Sequence, residues 1–200
     1  MEKVKEMPKI IELAEKRRST RRYKNRSIKL KEILKVLEAA NNAPSGGNRQ
    51  PWRYLIITDR KKKETIRERC EEVERRFHQK VPEKLKRLFE EKGITWRKEH
   101  LTEAPILILL FGKTDEPYWK ESLWISVGYI LLAIEERGLA SLTYTPTETE
   151  WTKEVFRHPK NFKLEVIIPV GESAEEYDKK KRTELKENTY INNWGKKIDE

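Results

Sequence analysis

Ala43-Pro44-Ser45-Gly46-Gly47-Asn48-Arg49-Gln50-Pro51-Trp52 is the stretch on which the reading of this chain turns, with Arg17-Arg18-Ser19-Thr20-Arg21 upstream of it. In the decapeptide, Pro44 stiffens the entry and two glycines free the backbone that follows. Amide side chains and a tryptophan come next. Such a loop can lay backbone N–H groups and a carboxamide against a flat heteroaromatic ring. The upstream pentapeptide packs three arginines and a hydroxyl into five residues, enough donors to surround a phosphate. Each part also has an ordinary reading, a basic helix terminus for the first and a surface turn for the second. A helix terminus explains two arginines more readily than three around a serine. Together, a phosphate clamp and a polar loop for a planar ring point to a phosphorylated flavin.

Outward from these motifs, apolar spacing predicts a helix over residues 8–18, with Pro8 near its start and Ile10, Leu13, Ala14 and Arg17 on one face. A second amphipathic helix runs from Leu30 to Asn41, with Ile33, Leu37 and Ala40 inward, and Pro44 ends it. Tyr54 to Thr58 reads as a short strand entered from Trp52. Pro105 to Phe111 (PILILLF) reads as a fully buried strand by its continuous apolar run. Ser122 to Arg137 is apolar on nearly every face, which suits a core helix or a subunit interface. Gly138 caps it, and Leu139 to Thr145 follows as a strand. Phe162 to Val170 is the last core strand, and Pro169 puts it near a sheet edge or a strand end.

Between the first and second strands lies a charged stretch, Asp59 to His100, predicted as two or three helices interrupted near Pro82 and Gly93. Its apolar residues (Ile66, Val73, Phe77, Leu85, Leu88, Phe89) are few, as in the less stable segments from which active-site lids are drawn. The tail from Glu172 has little core content, yet its Tyr190 and Trp194 should dock on something. Helices and strands mix without strict alternation, and no G-x-G-x-x-G is present, which disfavours a Rossmann fold. The expectation is a single α+β domain over 1–200 with a central, mostly antiparallel sheet. Within it, 59–103 forms a charged helical lid and 172–200 a C-terminal extension.

Composition narrows the class. Two hundred residues can bury a core without staples, and Cys70, the only cysteine, excludes an intrachain disulfide and a cysteine metal cluster. No apolar run has the length of a membrane span and the start lacks a signal-peptide core, so a soluble cytoplasmic protein is expected. Charged residues make up 39% of the chain and the net charge is +10, which raises the question of nucleic acid. Yet acids and bases interleave at i,i+4 spacing, as in Glu71–Arg75, Glu72–Arg76 and Glu83–Arg87, the pattern of solvated helix faces. Nucleic-acid binding is therefore disfavoured. Abundant Lys, Glu and Arg with glutamine only at positions 50 and 79 is a composition met in heat-adapted proteins. His78, His100 and His158 have no metal spacing and are expected to be exposed, with no metal site.

An R-R-S-x-R opening, a helix, and then A-P-S-x-x-N-x-Q-P-W resembles the FMN-dependent nitroreductase superfamily. The resemblance implies a nitroreductase-like sandwich whose two chains form an intertwined homodimer with FMN in the interface. It implies that Arg17, Arg18, Ser19 and Arg21 contact FMN phosphate and ribityl oxygens. The basic run Lys179-Lys180-Lys181-Arg182 reads alone as solvated charge; the resemblance gives Arg182 a phosphate contact. It also implies that Pro44, Ser45 and Asn48 reach the flavin, the first two from the partner subunit, and that Gly47 lies near the substrate.

Two further stretches resemble the iodotyrosine deiodinase branch. In Leu142-Thr143-Tyr144-Thr145-Pro146 the T-x-T-P ending implies Thr143 and Thr145 beside the flavin, with the Thr145 hydroxyl on N5. A hydroxyl both donates and accepts, whereas a backbone N–H only donates, so Thr145 suits one-electron steps at a nitrogen whose proton comes and goes. An ordinary β-branched strand end is the alternative. Trp96-Arg97-Lys98-Glu99-His100-Leu101, followed by Ala104-Pro105-Ile106, matches a region where a lid's Glu, Tyr and Lys grip a halotyrosine zwitterion. Lys98 matches the lysine directly. Ungapped counting puts Phe77 at the tyrosine position and Val73 at the glutamate position, with Glu72 or Glu74 as substitutes after a shift. Asn48 departs from the deiodinase pattern and looks like a general nitroreductase.

The reading implied is an FMN-dependent oxidoreductase acting on a small aromatic substrate stacked on the flavin, with dehalogenation of a halotyrosine or halophenol as the specific candidate. A broad NAD(P)H-dependent nitroreductase or quinone reductase is the alternative, with NAD(P)H as reductant. A flavin-binding sensor or carrier without fast turnover is an alternative of another class.

Overall fold

The apolar run after Pro105 becomes strand β2 (Ile106–Lys113), buried along all but its last residue. In this computed structural model, which describes residues 10–91, 93–176 and 180–197, β2 sits inside a four-stranded sheet. It pairs with β1 (Trp52–Ile57) on one side and β4 (Phe162–Gly171) on the other, and the short β3 (Ala140–Ser141) pairs with β4. Each of these pairings is antiparallel, in the order β1-β2-β4-β3. The helices are α1 (Ile10–Lys16), α2 (Leu30–Asn41), α3 (Arg60–Lys80), α4 (Glu83–Glu91), α5 (His100–Glu103), α6 (Trp119–Glu136), α7 (Trp151–Phe156) and α8 (Leu185–Asn188).

Successive side chains of a strand point to opposite faces, and β2 is apolar on both. Ile106, Ile108 and Leu110 pack with Ile33, Val36 and Ala40 of α2 and Val127, Ile130 and Ile134 of α6. Leu107, Leu109 and Phe111 pack with Ile66 and Cys70 of α3, Leu101 of α5, and Leu164 and Ile167 of β4. Helices thus cover both faces, and each fully buried Leu or Ile contributes about 1.5–3 kcal/mol relative to exposure. No described helix is long and apolar enough to cross a membrane.

The α+β architecture and the antiparallel sheet agree with the sequence; several details differ. The first helix spans Ile10–Lys16, and on its expected inner face only Leu13 is buried, while Ile10 and its neighbour Ile11 are 67% and 68% exposed. Pro8 and Lys179 lie outside the described residues. The strand expected over Leu139–Thr145 is reduced to Ala140–Ser141, because the chain leaves the ladder after Ser141 and rejoins it only through a bridge between Tyr144 and Ile167. Strand β4 is interior, and of the two places expected for Pro169 the structure has the strand end. Asp59–His100 forms α3 and α4, broken at Pro82 and Gly93 as expected. The two halves differ in burial. Lys63, Ile66, Cys70, Val73 and Glu74 make a helical stripe buried against the sheet, whereas α4 buries no residue. The short α5, α7 and α8 have no sequence signal of their own.

Candidate active site

After α1 the arginine-rich stretch runs along the exposed edge of the sheet. Ser19 bridges Ser141 of β3, and the Thr20 N–H donates to the Ser141 carbonyl at 3.0 Å. Farther on, Tyr23 bridges Ser173 just past β4, and Ala174 N–H donates to Arg22 O at 2.9 Å. The Tyr23 hydroxyl lies near two carbonyls, Thr20 O at 2.8 Å and Pro169 O at 3.3 Å. Proline costs nothing there, since its carbonyl rather than an N–H is what the neighbour uses. Gly171 makes room for the lock: a Cβ on it would lie 2.6 Å from Tyr23 Cδ1.

This path sets the guanidinium groups. Arg17 is half-buried, and its Nε is buried without a hydrogen-bond partner. Burial first, and then the nearby charge of Arg182, push its pKa down, with Glu135 opposing. Two guanidinium groups close enough to repel, one with an orphaned donor, leave an electrostatic demand that a phosphate dianion meets. Arg18 lines an adjacent cleft of about 530 Å³ with Lys16, Thr20, Glu135, Gly138 and Ser173. Ser19 is half-buried at its bridge, and Arg21 is exposed on the side of His100, whose pKa its charge depresses. The residues fit the phosphate end of FMN.

The ring-side loop lies elsewhere. Gly46–Asn48 form one 3-10 turn, with Gly47 at φ +57° and Asn48 at φ +54°, the left-handed region that glycine and asparagine tolerate best. Gly46 N–H donates to Ser122 Oγ at 3.2 Å and Gln50 N–H to Ser45 Oγ at 3.0 Å. Gln50 Nε2 holds Asn48 Oδ1 at 3.1 Å, and buried Trp52 donates to Asn41 Oδ1 at 3.2 Å. Pro44 is exposed and Ser45 half-buried. Ser122 is in the first turns of α6, while Glu135 and Gly138 by the arginine cluster are at its end. Eighteen helical residues span about 27 Å at 1.5 Å each. The structure therefore does not bring together, within one chain, the two motifs expected to meet the flavin.

Thr143 and Thr145 share a side of the chain, half-buried and exposed respectively, while Tyr144 points the other way into the core. Lys98 is buried too, and its Nζ pairs with Glu74 Oε2 at 3.2 Å. Glu74 Oε1 accepts from the Tyr144 hydroxyl at 3.1 Å. Of the sequence alternatives, Val73 is a core residue, and Glu72 pairs with Arg76 on the surface at 2.8 Å. Of these, Glu74 is the carboxylate that meets the Lys98 ammonium. Phe77 is 40% exposed one turn farther along α3, edge-on to His78. Glu74 could be found in the sequence only as a neighbour of Val73, and Tyr144 carried no signal.

The expected exposure of the histidines is corrected. His100 is 7% exposed because α5 folds beneath α3, with its ring edge-on to Tyr144 at 5.7 Å and its Nε2 without a partner. His78 and His158 are half-buried, the latter beside Thr152 Oγ1 at 2.9 Å. Burial first, then Lys98, Arg21 and Arg67, lower the His100 pKa to about 3. The unfolded chain takes up that proton near pH 6.5, so across the window between the two values the unfolded state binds more protons and stability rises with pH. We expect the melting temperature to fall from about pH 7 to about pH 5, and His100→Gln to make that fall shallower. Parallel pH slopes in thermal melts of the two proteins would remove His100 as a cause.

The sequence profile of the nitroreductase family matches residues 14–172. The chain is 44% identical over 179 residues to an iodotyrosine deiodinase of Thermotoga neapolitana, covering 90% of this chain and 96% of that one. It is 34% identical over 192 residues to human iodotyrosine deiodinase 1, covering 88% of this chain and 65% of the human protein. It superposes with TM-score 0.84 on a crystal structure of oxidized iodotyrosine deiodinase bound to FMN and 3-iodo-L-tyrosine, at 44% identity over 88% of this chain and 96% of that one. A BluB-like flavoprotein from Clostridium difficile, 21% identical over 92% of this chain and 99% of its own, shares the fold with TM-score 0.78. With the profile spanning most of its length and an antiparallel sheet edged by the arginine motif, the chain belongs to the nitroreductase family of oxidoreductases.

Proposed function

We propose that this protein is a homodimeric, FMN-dependent dehalogenase of halotyrosines. The observation that carries the reading is the Glu74–Lys98 pair beside the Thr143–Thr145 segment. It sets one anionic and one cationic group against Tyr144, between the two threonines, the charges needed for an ammonium and a carboxylate. A relative at 44% identity, with FMN and 3-iodo-L-tyrosine bound, supports it. FMN supplies the electrons when bound. Arg17, Arg18, Ser19, Arg21 and Arg182 hold its phosphate end. Thr143 and Thr145 flank the ring, with the Thr145 hydroxyl directed to N5. Lys98 and Glu74 hold the amino-acid end of the substrate, Phe77 packs on it, and Gly47 lies near it. Within 59–103, α3 stays packed on the sheet, and α4, which buries no residue, is the part that acts as the lid.

The dimer is part of this reading. The loop with Pro44, Ser45 and Asn48 is separated from its own arginine cluster by the length of α6, so one FMN meets both motifs only if a second chain lends its loop. Leu30 and Leu34 of α2 and Ile125 and Tyr129 of α6 are 42–53% exposed, an apolar face at i,i+4 spacing. Gly128 lies in the middle of α6 with nothing within 4 Å of where its Cβ would be. Glycine in a helix interior costs about 0.5–1 kcal/mol, and close approach of a partner helix gives it a use. Leu185 and Trp194 of the tail are 81% and 91% exposed, which supports a C-terminal extension that docks on the partner. The reading locates the enzyme in the cytoplasm, in keeping with a single cysteine.

A broad NAD(P)H-dependent nitroreductase is the second reading, favoured by Asn48, which departs from the deiodinase pattern. The two are separated by iodide release from 3-iodo-L-tyrosine and by Lys98→Ala. Losing a charge-assisted hydrogen bond costs about 1.5–3 kcal/mol, so KM for iodotyrosine should rise roughly ten- to hundred-fold while a nitroaromatic lacking a carboxylate keeps its KM. Equal KM changes for both substrates would reject the zwitterion role. Flavin-loaded protein that turns over neither substrate would be a sensor or carrier.

A further inference from the structure

The segment bearing Thr143 and Thr145 is weakly tethered by its backbone. Strand β3 ends at Ser141, and the next ladder contact is the Tyr144–Ile167 bridge, with hydrogen bonds of 2.9 and 2.8 Å. Thr145, exposed, follows at once. A hydroxyl that must meet one ring nitrogen needs its backbone fixed to a fraction of an ångström, because reactivity falls steeply with misplacement.

The Tyr144 side chain supplies what the ladder lacks. Its hydroxyl donates to Glu74 Oε1 on α3 at 3.1 Å, and its ring packs in the same buried cluster as Cys70, also on α3. Glu74 is held in turn: Oε2 takes Lys98 Nζ at 3.2 Å, and Lys98 Nζ also donates to Thr95 O at 3.0 Å. The Lys98 backbone N–H is tied to Glu71 Oε1 at 2.8 Å. Lys98 Nζ lies 5.6 Å from the centre of the Tyr144 ring, and His100 meets the ring edge-on. The network is buried, and burial above all raises the phenol pKa, so Tyr144 stays a donor rather than a proton carrier. The Cys70 thiol, with no exposed surface and its pKa raised to about 12, is inert.

We infer that Tyr144 is a positioning residue: its hydroxyl on Glu74 ties the flavin-facing Thr143–Thr145 segment to α3 and to Lys98. This rests on the assignment of Thr145 to N5 under the proposed function. The carboxylate that fixes Tyr144 is the one paired with Lys98, so the substrate's amino-acid end and the N5 hydroxyl share one buried network. Thr145 does not work independently of Tyr144, while Lys98 keeps Glu74 without it.

Tyr144→Phe in the FMN-loaded protein removes the tie and keeps the ring and backbone. Amide exchange in the peptide spanning 142–149 should accelerate roughly ten-fold, the loss expected for a hydrogen bond to a buried carboxylate. Exchange in β2 and in the β4 core should be unchanged. The kcat for iodide release should fall while KM for iodotyrosine stays within about two-fold, because Lys98 keeps Glu74. Glu74→Gln retains an oxygen that accepts from the phenol and should keep the exchange protection; Glu74→Leu should lose it. That pair carries the same comparison if Tyr144→Phe does not fold. Wild-type protection in Tyr144→Phe, or equal protection in Glu74→Gln and Glu74→Leu, would overturn the proposal. Lost protection in Tyr144→Phe alongside an unaltered flavin reaction in Thr145→Ala would uphold the tie and remove the N5 assignment instead.

Discussion

Thr145→Ala is expected to cut iodide release from iodotyrosine by roughly 10²–10³, the usual consequence of removing a hydrogen bond at the reacting centre. Nitro reduction driven by a hydride donor should survive it nearly intact. The contrast follows from what a hydroxyl can do. N5 passes from bare to protonated in either case, but one-electron steps also stop half-way, where a hydroxyl that can turn from donor to acceptor would matter most. Thr145 is exposed, so its removal leaves no buried cavity and the melting temperature should move little. Steady-state rates with the two substrates, measured beside thermal melts, decide the matter. Equal losses in both reactions would mean that Thr145 supports the site only generally.

Arg17→Met should act with opposite signs on the two states of the protein. Under the proposed function Arg17 answers the phosphate of bound FMN, so its loss should weaken FMN binding roughly ten- to hundred-fold, the equivalent of about 1.5–3 kcal/mol. Without FMN, the guanidinium is a liability: its Nε is buried without a partner, and both burial and Arg182 disfavour its charge. Methionine fills similar space and needs no partner. The apoprotein should therefore melt no lower than wild type, and higher if the orphaned donor dominates, while the FMN-loaded variant melts lower. Flavin titration and melts of both forms test this. A variant destabilised equally with and without FMN would show Arg17 to be structural.

The sheet was legible because its signals are local. PILILLF can only be a strand buried on both faces, and it became β2 with apolar partners on either side. The arginine motif and the Pro-Ser-Gly-Gly loop stand out as residue chemistry, but their separation was not legible. Nothing in spacing says that the loop of residues 44–48 and the arginines lie at opposite ends of α6. Glu74 was obscured by helical phase: counting without gaps selects Val73, and one further step of about 100° around the helix turns core into ion pair. Tyr144 was hidden between two threonines in what reads as an ordinary strand, and its partner Glu74 comes from α3, some seventy positions earlier. His100 was misread because a single turn of helix has no periodicity to announce burial. Tyr23 and Gly171, which lock the arginine stretch to β4, are likewise a pairing across most of the chain. What sequence missed is what folding brings together from far apart.

The measurement that bears most directly on the central claim is an anaerobic reductive titration of the purified protein, followed by visible absorption, with and without 3-iodo-L-tyrosine. The account predicts a flavin spectrum, retained or restored by added FMN, and build-up of the one-electron-reduced flavin only when iodotyrosine is present. Direct passage to the two-electron-reduced flavin in both titrations would contradict the dehalogenase and leave a general nitroreductase; no flavin spectrum at all, even with added FMN, would contradict the account entirely.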